Sequence, residues 1–217
     1  MDINMQWMYE NRCQKVVTAL RRNRFDAYYV PDKDAARQKT VEMIPAGASL
    51  AFGGSMTLFE TGIVEAMRDP RWKLIDRYAP GLERPQLLEI ALQSLRVDYF
   101  LTSANAVTEA GELLFVDGAN TRVAPVLFGP AHVILVIGVN KICPDLASAQ
   151  KHMQTVARPV NCKRLNLDTP CVAAGACQDC NSPERICNST VILHRQNTRV
   201  NDTHKIHVIM VAENLGY

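Results

Sequence analysis

Four cysteines crowd one short stretch. Cys171, Cys177, Cys180 and Cys187 are spaced Cys-x5-Cys-x2-Cys-x6-Cys. Four thiolates can complete a tetrahedral zinc site or hold an iron–sulfur cluster. The spacing has neither the two Cys-x-x-Cys pairs of a zinc ribbon nor the usual ferredoxin run, and only Cys177-x-x-Cys180 is a good local chelate. Asp179 between them adds negative charge that favours a cation. A redox dithiol and plain buried thiols are the competing readings; metal binding is the expectation carried forward. Cys13, Cys143 and Cys162 are scattered.

A second constellation is Ala-Phe-Gly-Gly-Ser-Met-Thr at 51–57. Gly53 and Gly54 permit a sharp strand-to-helix turn, Ser55 and Thr57 add hydroxyls, and free amides at a helix start favour an anion. The chemistry would be a phosphate or carboxylate cradle; the plainer reading is a tight turn with a good cap. No Gly-Lys-Ser/Thr follows, so it is not a P-loop, and it is not a G-x-G-x-x-G fingerprint.

The third runs from Asn105 to Arg122 and gathers Glu109, Asp117 and Asn120. Glu109 or Asp117 would serve as nucleophile or general base. Arg122 would clamp a carboxylate bidentately. Hairpin chemistry alone also accounts for Glu109 and Glu112 beside a turn and for Asp117-Gly118. Lys141 follows an apolar strand and would reach an anion there, or stand in solvent. His194, His204 and His207 flank a late polar loop and could meet in space, while His132 opens a buried strand.

Strands alternating with helices must position these groups. The pattern predicts helices over 5–22, 34–44, 86–95, 121–127 and 145–157. A further helix begins at Thr57, with Glu60 completing a Thr-x-x-Glu capping box. Leu88, Ala91, Leu92 and Leu95 are expected to face inward. Strands are expected at 25–30, 49–52, 72–75, 97–101, 132–137, 190–194 and 206–212, with a hairpin over 107–116. His132 to Ile137 is apolar on both faces and therefore central. The hairpin and the last two strands are expected to supply antiparallel pieces. The architecture implied is an α/β three-layer sandwich with a mainly parallel sheet.

The chain has 217 residues, 47% hydrophobic and 21% charged, with a net charge of +2. This suits a single domain over residues 1–217, with a Cys-rich insertion at about 168–189. The charges are interspersed, which argues against nucleic acid. No apolar run approaches the ~20 residues of a membrane span. The first residues lack a signal-peptide pattern. A cytoplasmic protein is expected.

The ordered motifs Gly-Gly-Ser-Met-Thr at 53–57, Asp98 through Leu113, Val-Asp-Gly-Ala-Asn-Thr-Arg at 116–122, Phe-Gly-Pro at 128–130 and Val-Ile-Gly-Val-Asn-Lys at 136–141 resemble the LUD-domain family of lactate-utilisation proteins. The match is to the stand-alone C-type member, in a form carrying the extra cysteine segment. The resemblance implies a fold similar to sugar-phosphate isomerases, glucosamine-phosphate deaminases and CoA transferases. It places the cradle at Gly53, Gly54, Ser55 and Thr57. Glu109 resembles the CoA-transferase glutamate in preceding a glycine-containing turn, which makes an isomerase or CoA-transferase-like enzyme the alternative. Asp117-Gly118-Ala119 resembles the isomerase Asp-Gly-Ala, but Asn120 stands where those enzymes place an acid, and their Lys-Gly-Gly-Gly loop is absent. The family association implies a component of lactate-to-pyruvate oxidation working beside iron–sulfur partner proteins. Together with the residue reading, the expectation is a small anionic ligand bound through Asn105, Asn120, Arg122 and Lys141 and an iron–sulfur cluster or zinc on the clustered cysteines; the superfamily analogy adds a homodimer. A non-catalytic assembly protein is a third reading.

Overall fold

The computed structural model describes residues 2–197 and 205–217. Six parallel strands form the main sheet: β1 (Asp26–Val30), β2 (Ser49–Phe52), β3 (Lys73–Ile75), β4 (Tyr99–Thr102), β7 (His132–Gly138) and β10 (Lys205–Val211), in the order β1-β10-β7-β4-β2-β3. β7 lies in the interior, as its uniform apolarity predicts. Its side chains alternate between two cores. Val133, Leu135 and Ile137 enter one core, while Ile134 and Val136 enter the other. Strand geometry requires this, because successive Cβ atoms point to opposite faces. β10 repeats the pattern, with Val208 and Met210 on one side and Ile209 and Val211 on the other.

One face of the sheet is covered by α2 (Lys33–Met43), α3 (Met56–Glu60) and α4 (Ile63–Ala66). The other is covered by α1 (Ile3–Arg22), α6 (Val123–Leu127) and a second, four-stranded sheet. That sheet has the order β8-β5-β6-β9 and comprises β5 (Ala106–Thr108), β6 (Leu113–Asp117), β8 (Ile142–Cys143) and β9 (Ser189–Leu193). Its outer face carries Ala106, Leu114 and Cys143, which pack against Ala149 and Met153. The α/β sandwich with a mainly parallel sheet therefore holds. The hairpin, though, belongs to a separate sheet, and β10 is parallel where an antiparallel strand was expected.

Three helices differ from the sequence pattern. The first begins after Ser55, whose hydroxyl accepts from the Leu58 amide. Thr57 is therefore not the cap but a buried member of the first turn. In α5 (Arg84–Gln93), Leu88 and Leu92 are 60% and 54% exposed, so the leucines expected to face inward form an open apolar surface. The helix opened by Asp145 continues past Ala157. After α7 (Leu146–His152), one π-helical turn over Met153–Ala157 leads into α8 (Arg158–Arg164). Proline lacks an N–H and clashes with the carbonyl four residues back, and a wider turn relieves both demands just before Pro159.

Candidate functional site

Loops at the carboxyl ends of parallel strands converge on a cavity of about 260 Å³. Gly54 and Ser55 follow β2, Arg77 follows β3, Ser103 and Asn105 follow β4, Lys141 follows β7, and Tyr217 follows β10. Ligands of open α/β sheets sit at this edge because the strands deliver several loops there. The opposite wall consists of the end of β6 through Arg122, one side of α8, and Ile186 with Cys187.

Arg122 builds the floor. Its Nη1 donates to the Ser103 carbonyl at 2.7 Å, and its Nη2 donates to Asn105 Oδ1 and the Val116 carbonyl, each at 2.7 Å. Asp117 lies 3.7 Å from its Nε. Burial pushes the Arg122 pKa down, and Asp117 opposes that shift. Asn105 Oδ1 also accepts from the Val116 amide at 3.0 Å, so it ties the β4 loop to β6. The guanidinium expected to clamp a ligand thus spends most of its donors on the protein. Gly53 serves the same construction: a Cβ there would lie 2.7 Å from both Arg122 Cγ and Thr102 Oγ1. Gly54 has open space where a Cβ would stand.

Lys141 is the most deeply placed charge in the wall, only 2% exposed. A single 3-10 turn, Val139–Lys141, bends the chain after β7 and returns the lysine inward. Its Nζ lies 3.0 Å from Thr57 Oγ1 and 3.0 Å from Ser103 Oγ. Burial, reinforced by the Arg122 charge, pushes its pKa down to about 7. The segment after β10 seals the back of this site. Asn140 brackets it, accepting from the Leu215 amide and donating to the Gly216 carbonyl, and Glu60 accepts from the Gly216 amide. Gly216 has φ +57, and a Cβ there would press on Thr57 Oγ1 at 2.5 Å.

The rim is cationic. Arg77, Arg158 and Arg164 line the cavity, and none of them forms an ion pair with a carboxylate among the described residues. Arg158 Nε is buried with no hydrogen-bond partner. Arg164 donates to Asn161 Oδ1 at 2.8 Å and stands beside the Tyr217 hydroxyl, whose pKa is raised mainly by burial. Against Arg77, Arg122, Lys141, Arg158 and Arg164 the lining sets one carboxylate, Asp117. Such a cavity concentrates anions. Sequence reasoning missed Arg158, Asn161 and Leu165, although their spacing marks one face of a helix; the expected end at Ala157 concealed it.

Of the predicted residues, Gly54, Ser55, Asn105, Asp117, Arg122, Lys141 and Cys187 line the cavity. Gly53 and Thr57 stand behind it, in contact with Arg122 and Lys141. Asn120 lies outside, at φ +61 in a turn where its amide donates to Asp117 Oδ1. Glu109 also lies outside, on the hairpin, with Lys15 Nζ at 2.5 Å. The histidines divide. His194 meets Glu112 at 2.7 Å and His207 meets His132 at 3.0 Å, while His204 falls outside the described residues.

The cysteine segment wraps the outer wall. Cys171 is buried in α9 (Pro170–Ala174), with its Sγ 3.2 Å from Thr169 Oγ1. Cys162, on α8, contacts both Thr169 and Cys171 and joins the group as a fifth thiol. Its pKa is raised to about 11, chiefly by burial. Cys187 is raised as well, mainly by burial, with Arg185 and Arg158 opposing. Among the described residues, no three His, Cys, Asp or Glu side chains are placed to share one ion.

The family model of the LUD domain matches residues 13–211. No curated protein matches the sequence. Among solved structures, a DUF162 family protein from Deinococcus radiodurans is 11% identical, covering 95% of this chain and 98% of its own, with a TM-score of 0.49. eIF2B beta from Chaetomium thermophilum is 23% identical over 54% of this chain and 44% of its own, with a TM-score of 0.38.

Proposed function

The chain belongs to the LUD-domain family, and from that premise we propose that it binds a small organic anion at the carboxyl edge of its main sheet, as a component of lactate-to-pyruvate oxidation. One observation carries the reading: four arginines and a lysine meet a single carboxylate around a cavity of about 260 Å³. That volume suits a small carboxylate or phosphorylated metabolite. Arg158, whose buried Nε has no partner, is the donor best placed for a ligand, Arg77 and Arg164 add charge at the rim, and Arg122 supplies fixed positive charge behind them. Isothermal titration with lactate, pyruvate, inorganic phosphate and coenzyme A tests it. Binding of at least one that Arg158→Ala weakens supports the reading. Heatless titrations with all four at millimolar concentration sink it.

A second reading concerns the thiols. The contact of Cys162 with Cys171 supports a metal or cluster function for this segment, either resident zinc or an iron–sulfur centre shared with a partner protein. The thiols as placed do not converge, so an ion there requires the 175–187 loop to close. Metal analysis after anaerobic purification tests this, and metal-free protein counts against it. The CoA-transferase alternative draws no support from Glu109, whose carboxylate faces Lys15 outside the cavity.

A further inference from the structure

Lys141 has an unusual set of partners. Both of its hydrogen bonds run to hydroxyls, and both hydroxyls already have acceptors for their own hydrogens. Thr57 Oγ1 donates to the Leu215 carbonyl at 3.3 Å, and Ser103 Oγ donates to the Ala104 carbonyl at 3.1 Å. Each hydroxyl therefore accepts from Lys141, which uses two N–H bonds. A tetrahedral nitrogen attached to Cε has one position left. Among the described residues, no carboxylate forms an ion pair with it. Gly216 closes one side, so near that a Cβ there would lie 3.3 Å from Nζ, and Lys141 lines the cavity.

We propose that Lys141 is an amine nucleophile that condenses with the carbonyl carbon of a small anionic carbonyl compound, an oxo acid or a phosphorylated ketone, held in this cavity. The inference rests on the anion-binding reading above. In the neutral amine, the remaining position is the lone pair. Lysines serve in this way when burial or a neighbouring cation favours the neutral form. Here burial acts first and Arg122 second, while Glu60 opposes them. His152, packed nearby, is itself held below its ordinary pKa by burial and by Lys141. The arginine rim would hold the anionic group and leave the carbonyl to the lysine.

The step balances without a redox partner. The nitrogen lone pair forms a C–N bond, and the carbonyl π pair moves to oxygen. A proton passes from nitrogen to that oxygen to give a carbinolamine. With one further proton the hydroxyl leaves as water, and the nitrogen pair forms C=N. Amine, carbonyl and one proton become an iminium and water. Tyr217, which lines the cavity and whose pKa is raised, holds a proton suited to the leaving hydroxyl.

Borohydride trapping tests the proposal on the full chain. The protein is incubated with pyruvate, with dihydroxyacetone phosphate, or with acetone as a neutral control, then reduced and mapped by peptide mass spectrometry. Binding of each probe is measured in parallel by calorimetry. The expected result is an adduct at Lys141 with one anionic probe, at least ~10-fold over any other lysine because the bound carbonyl is pre-positioned. Its yield rises as pH increases through about 7, and Lys141→Arg, shown to be folded by its thermal melt, abolishes it. The identity of the reacting probe separates oxo acid from phosphorylated ketone. An anionic probe that binds without labelling Lys141 overturns the proposal and leaves anion binding standing. Equal labelling by acetone overturns the anionic substrate class. Absence of both binding and label overturns both readings.

Discussion

Gly53 and Arg122 touch so closely that the glycine has no room for a methyl group: a Cβ would lie 2.7 Å from Arg122 Cγ. Gly53→Ala must therefore displace the side chain that ties Ser103, Asn105 and Val116 together. The expected cost is about 1–3 kcal/mol of stability, as for other overpacked sites, with loss of anion binding. Gly54→Ala, at a position with open space, should leave stability within about 0.5 kcal/mol. Urea titration of both variants checks the contrast.

The rim arginines are predicted to govern affinity. Hydrogen bonds to charged groups contribute roughly 1.5–3 kcal/mol, so Arg158→Ala or Arg164→Ala should weaken anion binding by ~10-fold to ~100-fold. Glu109→Gln should leave it unchanged, because that residue lies on the hairpin against Lys15. A Glu109→Gln protein that no longer binds would contradict this geometry.

Lys141→Met should stabilise the fold at neutral pH, by about 1–3 kcal/mol, since a buried cation gives way to a side chain that needs no hydration. The sign follows from linkage. The folded pKa is about 7 and the ordinary value is 10.5, so between these the unfolded chain binds more protons. Wild-type stability therefore rises with pH across that window. The advantage of the methionine variant should be largest at pH 7 and below and should shrink toward pH 10. Thermal melts at several pH values would show it.

His207 gives a second pH dependence at lower values. Burial pushes its pKa down to about 4 from 6.5, with Asp26 opposing. Its neutral form is the folded one, so stability is fully present above about 6.5 and is lost as pH falls toward 4. His207→Gln should flatten the melting temperature over that interval.

Thiol reactivity should divide along burial. Cys13, Cys143, Cys162 and Cys171 are buried, while Cys177, Cys180 and Cys187 are partly open. Iodoacetamide under native conditions should label the second group first. If the segment takes zinc, added zinc should protect Cys177 and Cys180 together, which peptide mapping would reveal.

Much of the fold was legible where one physical pressure dominated. β7 is buried on both faces, and its unbroken apolar run says so. The cavity floor was half legible: Asn105, Asp117 and Arg122 lie in one short span, so their proximity needed little folding. Arg158 and Arg164 were hidden because Pro159 suggests a stop, whereas a π turn carries the helix through. Thr57 passed for a cap because a Thr-x-x-Glu pattern does not reveal that Ser55 already caps the helix, nor that Lys141, 84 residues on, needs its hydroxyl. In α5, leucine spacing reports amphipathicity but not whether another surface of the same chain covers it. Leu88 remains open.

The enclosure of Lys141 by Thr57, Ser103 and Gly216 carries a stereochemical consequence. A planar C=N bond formed on that nitrogen presents unequal faces, one toward the protein wall and one toward the cavity. Hydride can arrive only through the cavity. Reduction of a pyruvate adduct creates a new asymmetric carbon, so the carboxyethyl-lysine recovered from position 141 should be predominantly one epimer, whereas the same modification on surface lysines should be racemic at that carbon.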